Sequence, residues 1–111
     1  MNDVCIVSAK RSAVGSLGKS LKNENAEVIG SSVILQTLND LSLNTNEIDE
    51  VIMGQVLTGG SGQNPARQAS LKSGIPKETP AYLVNQVCGS GLGSIASGFQ
   101  SIRSGDSKIV I

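Results

Sequence analysis

A chain of 111 residues is one domain at most, and a domain of that size buries only about two-thirds of the surface its unfolded form exposes. Nine lysines and arginines balance nine aspartates and glutamates, and Tyr82 and Phe99 are the only aromatic residues, so neither a basic surface nor a stacking platform for nucleic acid is expected. The sequence has no histidine, the usual base for a nucleophile and the commonest transition-metal ligand, and Cys5 and Cys88 stand in no metal-ligand spacing, so no metal site is expected.

The opening MNDVCIVSAKRS has no apolar stretch of signal-peptide length, and no run approaches the roughly 20 apolar residues of a membrane span. The chain therefore reads as soluble and cytoplasmic, without a membrane partner. Residues 4–8, apolar and β-branched, read as a buried parallel strand with Cys5 in the core. Residues 10–25 mix Gly15, Gly18, basic residues and serines without a period and read as a long surface loop, in which Arg11 is either a surface ion pair or a ligand contact. Asn25 is a fair N-cap for a helix to about Leu41, with Val28, Ile34, Leu35, Leu38 and Leu41 on one face.

Residues 50–57 carry enough apolar side chains for a second strand, interrupted by Gly54, and Asp49 and Glu50 before it read as solvated carboxylates. The loop TGGSGQ, residues 58–63, leads into the best-punctuated helix: Asn64 as N-cap, Pro65 at the first position, Gly74 just past the end, and Ala66, Ala69 and Leu71 on its packed face. Pro76 and Pro80 hold the next loop extended, and residues 81–87 read as a third strand. A last helix starts at residue 89, with Leu92, Ile95, Ala96, Phe99 and Ile102 at helical spacing and Gly105 placed to end it. Residues 108–111 begin a fourth strand. Strands alternating with helices make the fold class α/β, with a mostly parallel sheet in a single domain over residues 1–111.

Cys88 stands between the third strand and the last helix. A strand that stops at residue 87 and a helix that starts at 89 place its sulfur beside unpaired N–H groups and the positive end of the helix dipole, which favour thiolate over thiol. Gly89, Gly91 and Gly93 leave room there for a bulky acyl group. Gly91, Gly93 and Gly98 each cost about 1 kcal/mol relative to alanine inside a helix, so something other than helix stability selects them. A lone cysteine is more often a buried structural thiol, but a strand-to-helix turn ringed by small residues is the geometry hydrolases use to project a serine. Residues alone leave these two readings open. GSGLGS, residues 89–94, also admits a dinucleotide-phosphate loop, imperfectly, because residue 94 is serine where the third glycine belongs. TGGSGQ admits an anion cradle or a plain glycine turn.

Four stretches together resemble the N-terminal part of the thiolase family, in its acetyl-CoA C-acetyltransferase branch: IVSAKRSAVGSLGKSL (6–21), IDEVIMGQVL (48–57), GQNPARQASLKSGIP (62–76) and VNQVCGSGL (84–92). The resemblance implies a thiolase-like fold, a mostly parallel sheet with flanking helices, as a half-domain incomplete at its C-terminal end. It implies that Cys88 takes an acyl group from acyl-CoA as a thioester, that its backbone N–H helps form an oxyanion hole, and that two acetyl-CoA condense to acetoacetyl-CoA and CoA, or the reverse. Coenzyme A thioesters are then substrates, and no cofactor is bound permanently. The family's activating histidine, second cysteine and water-orienting asparagine lie in its C-terminal half, so this chain would supply the nucleophile without turning over alone. A complete thiolase is expected to be a homo-oligomer, and this chain to self-associate, because the helix after the nucleophile packs in the family between two sheets. Lys19, Gly93 and Ser94 depart from the family's usual residues. A truncated, inactive product or interaction partner is the competing reading, and a dinucleotide-binding module the minor one.

Overall fold

The computed structural model describes residues 3–111. Helix α1 runs over Ala26–Leu41, entered from extended Asn25 and ended by Ser42 in the left-handed region (φ 52°), whose N–H returns to Asn39 O and Leu38 O. Its buried face is Glu27, Ser31, Ile34 and Leu38, spaced four, three and four apart. Val28 and Leu35, expected on that face, are partly exposed. The contact with the second helix lies about Gly30, where a Cβ would sit 3.5 Å from that of Ala69, and this sets the rotation of the helix.

Helix α2, Pro65–Lys72, has the expected punctuation: Asn64 caps it by accepting from Arg67 N at 3.1 Å, and Pro65 opens it. It buries Pro65, Ala66, Ala69 and Ser70, while Leu71, expected inside, is exposed. Strand β1, Val51–Gly54, pairs parallel with β2, Ala81–Val84, in the register Val51↔Ala81 to Gly54↔Val84. On the other edge of β1 lies the end of the chain, with Glu50 bridging Val110 in parallel and Ile111 N donating to Glu50 O at 3.0 Å. All pairings are parallel, as the α/β alternation predicts.

The strands are shorter than the sequence suggests. The second predicted strand stops at Gly54, the third gives way at residue 85 to a turn, and the fourth contributes one bridge and the hydrogen bonds around it. The predicted first strand, residues 4–8, is irregular, with Ile6 77% and Val7 69% exposed and Cys5 exposed rather than in the core. It pairs with no strand among the described residues, and both edges of β1 are occupied, by β2 and by residues 109–111. Lys10 pairs with Asp40 of α1, and Arg11 donates to Ser12 O at 3.1 Å on the surface.

Successive residues of a strand face opposite ways. Met53 points to Gly30 of α1, and Gly54 points to the first residues of the third helix, α3, Ser90–Ser104. Helices thus cover both faces of the sheet, with the core on the α1/α2 side: Ile34, Leu38, Ile48, Val51, Ala69 and Ile75. The face of α3 turned to the strands is made of small residues, Ser90 and Gly98 being buried, while Leu92, Ile95 and Phe99 of its apolar stripe are exposed. Gly93 and Gly98 serve close approach. A Cβ on Gly93 would lie 2.7 Å from Gln86 Oε1 and 3.2 Å from Val84 Cγ1, and one on Gly98 3.2 Å from Val110 Cγ1. Room for an acyl group was therefore the wrong reason for Gly93, whereas Gly91 has open space about it.

Asp49 is no free carboxylate. Its Oδ2 accepts from Lys108 N at 2.7 Å and Ile109 N at 2.9 Å, which fastens the chain end to the sheet. Those bonds, that from Ile109 first, hold its carboxyl below the usual range. Glu50 also departs from a solvated side chain, since its Oε2 is buried without a hydrogen-bond partner among the described residues.

Candidate active site

The glycine and asparagine motif upstream of the cysteine fixes the strand that leads to it. Asn64 Nδ2 donates to Ala81 O at 2.9 Å, and Arg67 reaches Thr79 O at 2.8 Å and also Lys77 O. Gln68 Nε2 donates to Ser61 O at 2.7 Å and to Gln63 O at 2.9 Å. The conspicuous side chains of GQNPARQ thus bind main chain, and what they position is the entry to β2 and the TGGSGQ loop. That loop faces the start of α1 across a cavity of about 290 Å³ lined by Asn25, Glu27 and Gln68.

Beyond Val84 the backbone makes a tight, cross-braced turn. Asn85 bonds both ways, its Oδ1 accepting from Val87 N at 3.0 Å and its Nδ2 donating to Val56 O at 3.2 Å past the end of β1. Val87 sits at φ 53°, in the left-handed region that a β-branched residue rarely adopts. Gly89 N donates to Gln86 O at 3.0 Å and Ser90 N to Val87 O at 3.1 Å. The Ser90 hydroxyl, itself buried, accepts from Gln86 N at 2.9 Å and donates to Val87 O at 2.6 Å.

At the crest of this turn Cys88 is exposed, two residues before the first residue of α3. Among the described residues no acceptor faces its N–H, whereas those of Gly89 and Ser90 are taken up inside the turn. Gly54 lies directly beneath: a Cβ on it would be 2.5 Å from the Ser90 carbonyl carbon and 2.6 Å from Gly91 N. The absent side chain lets the start of α3, and Cys88 with it, settle onto the end of β1. Asn85, Val87 and Ser90 all lie in the VNQVCGSGL stretch, but nothing in their residue types announces the brace or the strain. The foundation at Gly54 does have a sequence sign, a glycine interrupting a strand. Cys5, the other free thiol, lies outside any helix or strand. No group of three or more Cys, Asp or Glu able to hold a metal is found among the described residues. No helix among them is long and apolar enough to cross a membrane.

Parallel strands with helices on both faces make this an α/β chain, and Cys88 stands exposed at a strand-to-helix turn. The chain belongs to the thiolase family: the profile described as "Thiolase, N-terminal domain" matches residues 4–111. It is 50% identical, over all 111 residues, to the acetyl-CoA acetyltransferases of Pseudomonas aeruginosa and Cupriavidus necator. To a probable acetyl-CoA acyltransferase of Staphylococcus aureus it is 45% identical over the same length. The chain spans 28% of the length of each of these relatives.

Proposed function

We propose that this chain supplies the nucleophile of an acyl transfer between coenzyme A thioesters, with Cys88 as the attacking group. The Cys88 thiolate adds to the thioester carbonyl, and the tetrahedral intermediate expels the CoA thiolate, which takes up a proton, leaving the acyl group on sulfur. The enolate of a second acetyl-CoA then attacks that carbonyl, forming the carbon–carbon bond of acetoacetyl-CoA and releasing the Cys88 thiolate; thiolysis is the reverse. The Cys88 N–H, with no partner in the turn, is placed to stabilise the oxyanion. The carrying observation is the exposed sulfur on a braced strand-to-helix turn, within a chain of the thiolase family.

Acyl-CoA substrates, with no permanently bound cofactor, follow from this reading, as does a homo-oligomeric complete protein. The sequence contains no histidine to accept the nucleophile's proton, so by itself the chain acylates at most once. The exposed stripe of Leu92, Ile95 and Phe99 supports self-association, which sedimentation at rising concentration measures. The test of function is incubation with acetyl-CoA followed by peptide mass spectrometry. An acetyl adduct on Cys88, absent from Cys5 and from Cys88→Ala, is expected, without sustained cleavage of acetoacetyl-CoA. An adduct spread equally over both cysteines sinks the assignment, and sustained turnover by the 111-residue chain sinks the single-acylation claim.

A further inference from the structure

Val87 is the one residue of the turn whose conformation its own side chain opposes, and two polar side chains converge on it. A β-branched residue at φ 53° is strained, and such a conformation persists only where its surroundings over-determine it. Here Asn85 Oδ1 holds the Val87 N–H at 3.0 Å, and Ser90 Oγ holds the Val87 carbonyl at 2.6 Å. The same hydroxyl accepts from Gln86 N at 2.9 Å, so one oxygen clasps both sides of the turn. Asn85 ties that clasp to the sheet through Val56 O. Packing cannot substitute for these bonds, because Val87 is 64% exposed and touches little that would hold it. Released from them, Val87 relaxes toward negative φ and carries the following residue, Cys88, away from the start of α3.

We infer that Ser90 and Asn85 are positioning residues for Cys88: together they hold Val87 in its left-handed conformation and thereby fix where the Cys88 sulfur and N–H point. This rests on Cys88 being the nucleophile. Neither residue touches the acyl group in this account; both act through the backbone of residue 87.

The two cysteines of one molecule provide the test, since both are exposed and Cys5 lies outside the turn. Iodoacetamide labelling of the full chain, read by peptide mass spectrometry, gives the Cys88:Cys5 rate ratio. The parent ratio is expected at about tenfold or more, as for a thiol beside a helix N-terminus. In Ser90→Ala and in Asn85→Ala it is expected to fall by about fivefold or more, since a sulfur carried away from the start of α3 loses the N–H groups and helix dipole that activate it. Asn85→Asp, which keeps the acceptor for Val87 N but loses the Nδ2–H donor to Val56 O, should recover part of the loss. General loosening of the fold raises both rates and is not repaired by a carboxylate, so the ratio and its recovery separate positioning from mere stability. If Ser90→Ala does not fold, the exposed Asn85 decides with its two variants. A parent ratio near one overturns the nucleophile reading itself. A high parent ratio that the folded Ser90→Ala and Asn85→Ala variants leave unchanged overturns the positioning inference alone.

Discussion

Replacing Gly54 with alanine should injure both the fold and the thiol through a single methyl group. The new Cβ would stand 2.5 Å from the Ser90 carbonyl carbon, 2.6 Å from Gly91 N and 2.6 Å from Ser90 O. All three are main-chain atoms, so no flexible side chain can turn aside, and the start of α3 must retreat by roughly an ångström to reach ordinary contact. Overpacking of this kind costs about 1–3 kcal/mol. At roughly 4–8 °C per kcal/mol for a domain of this size, the thermal midpoint should fall by about 4–24 °C. The retreat also lifts the Cys88 turn from its seat, so labelling of Cys88 relative to Cys5 should drop as well. Scanning calorimetry and iodoacetamide kinetics on Gly54→Ala and parent measure the two effects. An unchanged midpoint together with an unchanged rate ratio would falsify the idea that the turn is founded on the bare backbone of residue 54.

Val87→Asn should stabilise the chain by up to about 1 kcal/mol in urea unfolding, since asparagine tolerates the left-handed region and an exposed valine gives up little packing. A loss of stability would show that Val87 is not strained. Arg67→Ala removes charge-assisted bonds to Thr79 O and Lys77 O and should cost about 1.5–3 kcal/mol, with Arg67→Lys restoring only part because an ammonium cannot fork to both carbonyls. A cost below a few tenths would show the clamp to be idle. The Asp49 carboxyl is held below its ordinary value in the folded chain, so its contribution is present above the unfolded value and lost as pH falls through the lowered one. Hydrogen exchange at the Lys108 and Ile109 amides should therefore quicken, relative to the rest of the sheet, as pH falls below the ordinary carboxylate range. In Asp49→Asn that acid step should vanish.

What was legible in the sequence was what neighbouring residues decide among themselves. Asn64, Pro65 and Gly74 punctuate α2 by local capping, and its bounds follow from them. The position of Cys88 between a β-prone run and a helical stripe is equally local. Periodicity identified α3, yet it cannot say which face is buried; the sheet accepts Ser90, Gly93 and Gly98 because Gly54, Val84 and Val110 leave space only for small groups, and the apolar stripe turns outward. Residues 4–8 have strand composition, but a strand exists only where an edge pairs with it, and among the described residues none does. The strain at Val87 contradicts every local preference of valine, since it is imposed by side chains two residues before and three after.

The sheet's dependence on residues 109–111 sets a clock on folding. Asp49 meets Ile109 across 60 residues, the kind of long-range parallel pairing whose loop closure is slow. At a synthesis rate of about 5–20 residues per second, β1 leaves the ribosome roughly 3–12 s before the segment that pairs with its far edge. β2 arrives only about midway through that interval and then protects one side of β1, while the other presents unpaired N–H and C=O groups to any extended chain nearby. Chaperone capture or mispairing of the nascent protein should concentrate at residues 49–52 and cease when residues 109–111 arrive.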